Sequence, residues 1–99
     1  METSTSPLTF AASFSRDARF APTVGELAAK LAQTTGCAES AALEIRAAVT
    51  AAFEAALAAD ASDASASIAL ALRADGPTFA TEVTCGTHSY LHLTHPRSA

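Results

Sequence analysis

Two runs of strict period-two alternation flank the tetrapeptide Ala74-Asp75-Gly76-Pro77. In the first, Ile68, Leu70 and Leu72 alternate with Ala69, Ala71 and Arg73. In the second, Phe79, Thr81 and Val83 alternate with Ala80, Glu82 and Thr84. Alternation of this kind places one set of side chains on a buried face and the other toward water. The Asp-Gly-Pro sequence between the runs is turn chemistry, so the pair predicts an antiparallel hairpin. A hairpin with one apolar face must be covered on that face, and the rest of the chain has to supply the cover and any further strands.

Upstream, Leu8, Phe10, Ala12 and Phe14 alternate with Thr9, Ala11, Ser13 and Ser15, which predicts another half-buried strand. Arg16 to Pro22 reads as a connection. Thr23 and Glu26 have the spacing of a capping box, which predicts a helix start, with Val24, Leu27, Ala28 and Leu31 on one face and an end near Gly36. A second helix is expected from Glu39 to Ala59, where Ile45, Val49, Phe53 and Leu57 recur every fourth residue and form one stripe. Much of its remaining surface is alanine, the best helix former and a residue that permits close helix approach. Asp60 to Ser67, small and polar, reads as a loop. Cys85-Gly86-Thr87-His88 reads as a second turn, leading into a last strand from Ser89 to Thr94 with Leu91 and Leu93 inward and Pro96 ending it.

The expected fold is α+β: a two-layer sandwich with two helices on one face of a mainly antiparallel three- to four-stranded sheet, in the order β-α-α-β-β-β. A flexible N-terminus (1–7), a single domain (8–95) and a C-terminal tail (96–99) complete the division. The 99 residues leave room for one core. Hydrophobic residues make up 49% and charged residues 16%, which argues against disorder. Alanine alone accounts for 26 positions, so the core is built from few large side chains.

The net charge of −4 offers no basic face for phosphates, so no nucleic-acid partner is expected. The most apolar stretch, Ala41 to Ala59, carries Glu44, Arg46 and Glu54 and is not a membrane span. METSTSPLTF lacks the basic and apolar regions of a secretory signal, so a cytoplasmic location with reduced Cys37 and Cys85 is expected. These two cysteines pair only if the fold brings them together.

The helix Leu43-Glu44-Ile45-Arg46-Ala47-Ala48-Val49-Thr50-Ala51-Ala52-Phe53-Glu54-Ala55-Ala56-Leu57 resembles the signature helix of the anti-sigma factor serine/threonine kinases. These belong to the histidine-kinase-like ATPase superfamily, with its Bergerat-fold ATP site. Upstream, Phe20-Ala21-Pro22-Thr23-Val24-Gly25-Glu26-Leu27 with Gly36 is similar to the family's first strand-to-helix passage. Downstream, the Ile68-to-Val83 hairpin with Cys85-Gly86 sits where that family leads into its first glycine box. The resemblance covers Phe10 to Gly86, by pattern.

It implies an ATP site in which a helix Glu activates the attacking hydroxyl, a helix Asn holds magnesium, and an Asp before the glycine box binds adenine. Aligned on Ala48-Val49, with Glu44 one turn earlier supporting the register, the Glu position is Ala51 and the Asn position Ala55. The adenine Asp position is Thr84, and Gly86 alone matches the glycine box. Alanine neither takes a proton nor coordinates a metal. Shifting the register so that Glu54 becomes the acid leaves Ala58 at the Asn position. No glycine follows Gly86 in the thirteen residues to the end of the sequence, where the family has a lid and a second glycine-rich stretch.

The expectation is therefore a non-catalytic protein-interaction module resembling the N-terminal half of an anti-sigma kinase domain. It has no catalytic residue and no bound cofactor. Its partner is a protein (a sigma factor or an antagonist by the resemblance), and a homodimer is expected through an edge strand or helix face. In the anti-sigma family the corresponding first strands and helix faces take part in dimers and partner contacts.

Two alternatives stand beside it. One is an ATP-binding anti-sigma regulator with an unusual or shared site. The other is a small metal-binding protein using Cys85, His88 and His92, with His95 near by, since these are zinc and copper ligands. On a continuous strand His88 and His92 share a face but lie about 13 Å apart, and His95 points the other way, so one ion does not gather them. Cys85 with His88 across a turn is also a nucleophile–base pairing that lacks a third member.

Overall fold

The computed structural model describes residues 8–59 and 67–97. The expectations for the N-terminus 1–7 and for most of the loop from Asp60 lie outside these residues. The elements run β1 (Leu8–Phe14), α1 (Phe20–Thr34), α2 (Glu39–Ala58), β2 (Ile68–Asp75), β3 (Thr78–Cys85) and β4 (His88–Pro96). The four strands form one antiparallel sheet in the order β1-β2-β3-β4, with both helices on one face. The α+β sandwich and its element order are those expected.

Register explains which side chains are buried. Phe10, Leu72, Thr81 and Leu93 lie in one cross-strand row, and Ala12, Leu70, Val83 and Leu91 in the next. These rows face the helices, where Ile68, Leu70, Leu72, Ala74, Phe79 and Val83 are buried. Ile45, Val49 and Phe53 of α2 complete the core, with Ala52 and Ala56 beside them, while Leu57 is only partly buried. From α1 come Ala21, Val24, Ala28 and Ala32. The buried helix surface is thus largely alanine, whose small side chain lets the layers approach closely.

Both hairpin turns are two residues long and carry glycine at positive φ, Gly76 at +60° and Gly86 at +63°. A glycine at the first central position suits the tight turns that follow the twist of the strands. The end of α1 is also set by glycine. Gly36, at φ 112°, donates its N–H to Gln33, and Cys37 donates to Ala32, which is the Schellman arrangement.

Three local expectations are corrected. α1 starts at Phe20, three residues before Thr23, so Thr23 and Glu26 do not form a capping box. Asp17 makes the entry instead, its carboxylate accepting from the Arg19 N–H at 3.0 Å and its carbonyl from Phe20 at 3.0 Å. Pro22 then falls in the first turn, where its missing N–H leaves no helix bond unmade.

β4 begins at His88 and extends through Pro96. Arg97, assigned to the tail, is tied to the domain by its N–H to Pro77 O (2.9 Å) and its guanidinium to Thr35 O (2.6 Å). Finally, β4 is one strand whose alternation is offset: the register shifts between Val83 and Thr84, and Tyr90 is the extra residue of a bulge.

Candidate functional site

The positions aligned with an ATP site lie on different surfaces. Ala51 and Ala55 are exposed on α2, whose buried side is Ala42, Ile45, Val49, Ala52, Phe53 and Ala56. Ala51 lines a shallow open groove with Leu43, Arg46, Ala47 and Glu54. Thr84 belongs to the opposite surface of the molecule, in the row Ser13-Ala69-Thr84-Ser89 on the sheet face away from the helices. Gly86 is the exposed first residue of the β3–β4 turn. The sheet stands between Thr84 and the helix alanines, so one bound nucleotide does not touch both.

The Cys85 and histidine cluster is also dispersed. Among the described residues, no group of three or more His, Cys, Asp or Glu side chains is placed to hold a metal ion. Cys85 and His88 are cross-strand partners at the end of the hairpin. His92 stands opposite Glu82 on the helix-distal face, and His95 opposite Phe79 on the helix side. The expectation that His88 and His92 share a face is therefore corrected, because the bulge at Tyr90 inverts the alternation between them.

His95 is instead engaged with α2, its Nε2 3.2 Å from Glu44 Oε1 with the histidine side chain 13% exposed. Among the described residues, no group hydrogen-bonds the buried His95 Nδ1.

The strongest polar constructions hold the ends of the helices. Neither helix has a basic residue in its last turn. An arginine from elsewhere fills the role at each. Arg16, just after β1, donates Nη2 to the carbonyls of Ala56 (3.1 Å) and Leu57 (3.3 Å) at the end of α2. Its Nη1 lies 3.3 Å from Cys85 Sγ. Arg97, just after β4, binds the carbonyl at the end of α1 through Thr35. Both guanidiniums sit where the helix dipole is negative and carbonyls lack helical partners.

Nothing in the local sequence around Arg16 or Arg97 marks these roles. The only legible signal is the absence of a cation in either helix's own last turn.

The helix-distal face of the sheet is uncovered by any described element. It is floored by Ala11, Ala69, Ala71 and Ala80 and flanked by Arg73, Glu82 and His92, and it faces outward across all four strands. On the helix side, Leu43 is 56% exposed beside Arg46. No described helix is long and apolar enough to cross a membrane. Comparisons with protein-family models, curated proteins and solved structures find no match to this chain.

Proposed function

We propose that this chain is a non-catalytic protein-interaction module, acting by docking to a protein partner, in the manner that its resemblance to anti-sigma kinase domains implies. The observation that supports this reading is the dispersal of the aligned positions. Ala51 and Ala55 present methyl groups to solvent on α2, while Thr84 sits on the far face of the sheet. Phosphoryl transfer needs an acid–base group, a magnesium ligand and nucleotide contacts converging on one site. A helix layer that covers one sheet face, with the other face and two strand edges left uncovered by any described element, is by contrast a scaffold for association.

The partner class, a sigma factor or its antagonist, comes from the resemblance. Isothermal titration of the full chain with Mg-ATP tests the reading, with no saturable heat expected up to millimolar nucleotide. Micromolar, magnesium-dependent binding overturns it and favours an ATP-binding regulator.

A further inference from the structure

β1 and β4 are the two edges of the sheet, and they differ in a way that matters for association. β4 carries a bulge at Tyr90, and Pro96 lacks an N–H at its far end. Bulges and prolines are ordinary devices that stop an edge strand from pairing with another chain. β1, with the sequence Leu-Thr-Phe-Ala-Ala-Ser-Phe, has no charge, no proline and no bulge.

Which backbone groups of β1 the other described strands leave unbonded follows from the ladder. The two-residue turn makes Asp75 and Thr78 a hydrogen-bonded pair, so the odd-numbered residues of β2 bond to β3 and the even-numbered ones to β1. Leu8, Phe10, Ala12 and Phe14 therefore spend their backbone groups on β2. Thr9, Ala11 and Ser13 point theirs outward along the edge, and all three residues are exposed.

We propose that β1 pairs antiparallel with β1 of a second copy of this chain, about a two-fold axis at Ala11, joining the two sheets into one. This adds a second copy of the chain, and the surface it uses, to the protein partner of the docking reading above, and it rests on that reading. The strand is self-complementary in this register. Ala11 meets Ala11 of the second copy, Thr9 meets Ser13, and each pair exchanges both backbone bonds. These are the three residues of β1 whose groups no other described strand bonds.

The pairs between them match large against small on the helix side, Phe10 opposite Ala12. Leu8, 55% exposed in the single chain, meets Phe14, itself only partly buried against Phe20 and Phe53. Polar Thr9 and Ser13 stay together on the other face. A slip by two residues in either direction leaves residues of β1 unpaired and loses the Leu8–Phe14 contact, so the Ala11-centred register is the one that uses the whole strand.

Sedimentation equilibrium of the full chain is the direct test. A dimer population should grow with loading over roughly 10 to 500 µM, the range suited to an interface at the small end. The double variant T9E/S13E sets two carboxylates against each other at both ends of the ladder, and the dissociation constant should rise about tenfold. T9E/S13K sets a carboxylate against an ammonium at the same two places and should hold the dimer at or above its original strength.

Ala11→Pro removes an N–H that points away from β2, so the monomer fold survives at an edge position and the dimer is lost. Circular dichroism of each variant verifies the fold. A chain that stays monomeric over the whole range overturns the pairing while leaving the docking reading in place. Equal dimerisation of T9E/S13E and T9E/S13K overturns it too. Mg-ATP binding, by contrast, overturns the docking reading whatever the state of assembly.

Discussion

Gly25 stands where α1 meets α2, and its missing side chain is what lets the helices touch. A Cβ there would run into Thr50 Oγ1 and come within 2.8 Å of the Arg46 carbonyl oxygen. The threonine hydroxyl is itself held to that carbonyl at 2.8 Å, so the clash is with backbone and a tethered side chain together. Gly25→Ala gains helix propensity of about 1 kcal/mol but overpacks the contact, at a cost of about 1–3 kcal/mol. The net expectation is a lower urea midpoint, and a raised midpoint would refute the close approach. A second residue with a definite signature is Asp17. The Arg19 side chain, and then its backbone N–H, hold the Asp17 carboxyl at about 2 against an ordinary value of 3.8. The folded value lies below the unfolded one, so its stabilisation is complete above about pH 4 and is lost as pH falls through about 2. Carboxyl NMR titration should show Asp17 ionised at pH 3, and Asp17→Asn should flatten that part of the acid-stability curve. Neither residue's role was legible in sequence. Glu26 had the spacing of a capping partner for Thr23, yet it lies 3.6 Å from Arg46 across the helix pair, a contact fixed by tertiary packing.

At the scale of elements, the helix ends are secured by residues far along the chain. Arg16 binds α2 carbonyls forty and forty-one positions away, and Arg97 binds Thr35 sixty-two positions away. Each arginine follows the end of an edge strand, so it couples that strand to a helix terminus. Arg16→Ala should cost about 1–3 kcal/mol, from lost charge-assisted hydrogen bonds and the dipole interaction. Amide exchange should rise in the last turn of α2, with α1 unaffected. Uniform loss of protection in both helices would contradict the local clamp. Strands and helices themselves were readable because each has a single period over enough residues. Ile68, Leu70 and Leu72 alternate and are buried, and Ile45, Val49 and Phe53 repeat every fourth position and are buried. The bulge at Tyr90 was not readable, since Tyr90-Leu91-His92-Leu93 alternates as well in a regular strand as in a bulged one. That one inserted residue decided which faces His88 and His92 occupy.

For the whole molecule, the arrangement of layers decides what the remaining reactive groups can do together. The resemblance placed Ala51, Ala55, Thr84 and Gly86 by position along the chain, and the sheet then separated them in space. Position alone does not say whether a helix residue faces inward, because Ala51 and Ala52 are chemically identical and one is exposed while the other is buried. The cysteines follow the same logic. Cys37 lies at the end of α1 near Arg97, which reaches the β2–β3 turn through Pro77. Cys85 lies at the opposite end of β3, next to Arg16. The length of β3 sets the two thiol sites on the order of 20 Å apart, well beyond the roughly 7 Å limit between the Cα atoms of a disulfide. Both thiols are buried, and burial pushes the Cys37 thiol up against a smaller opposing pull from Arg97. Diamide treatment of the folded chain should therefore leave the monomer band unchanged on a non-reducing gel. Labelling of both thiols by a disulfide reagent should be slow in buffer and accelerate with urea in parallel with the loss of helical signal. A fast-migrating oxidised monomer formed without denaturant would mean that the two ends of the sheet meet, which this layer arrangement forbids.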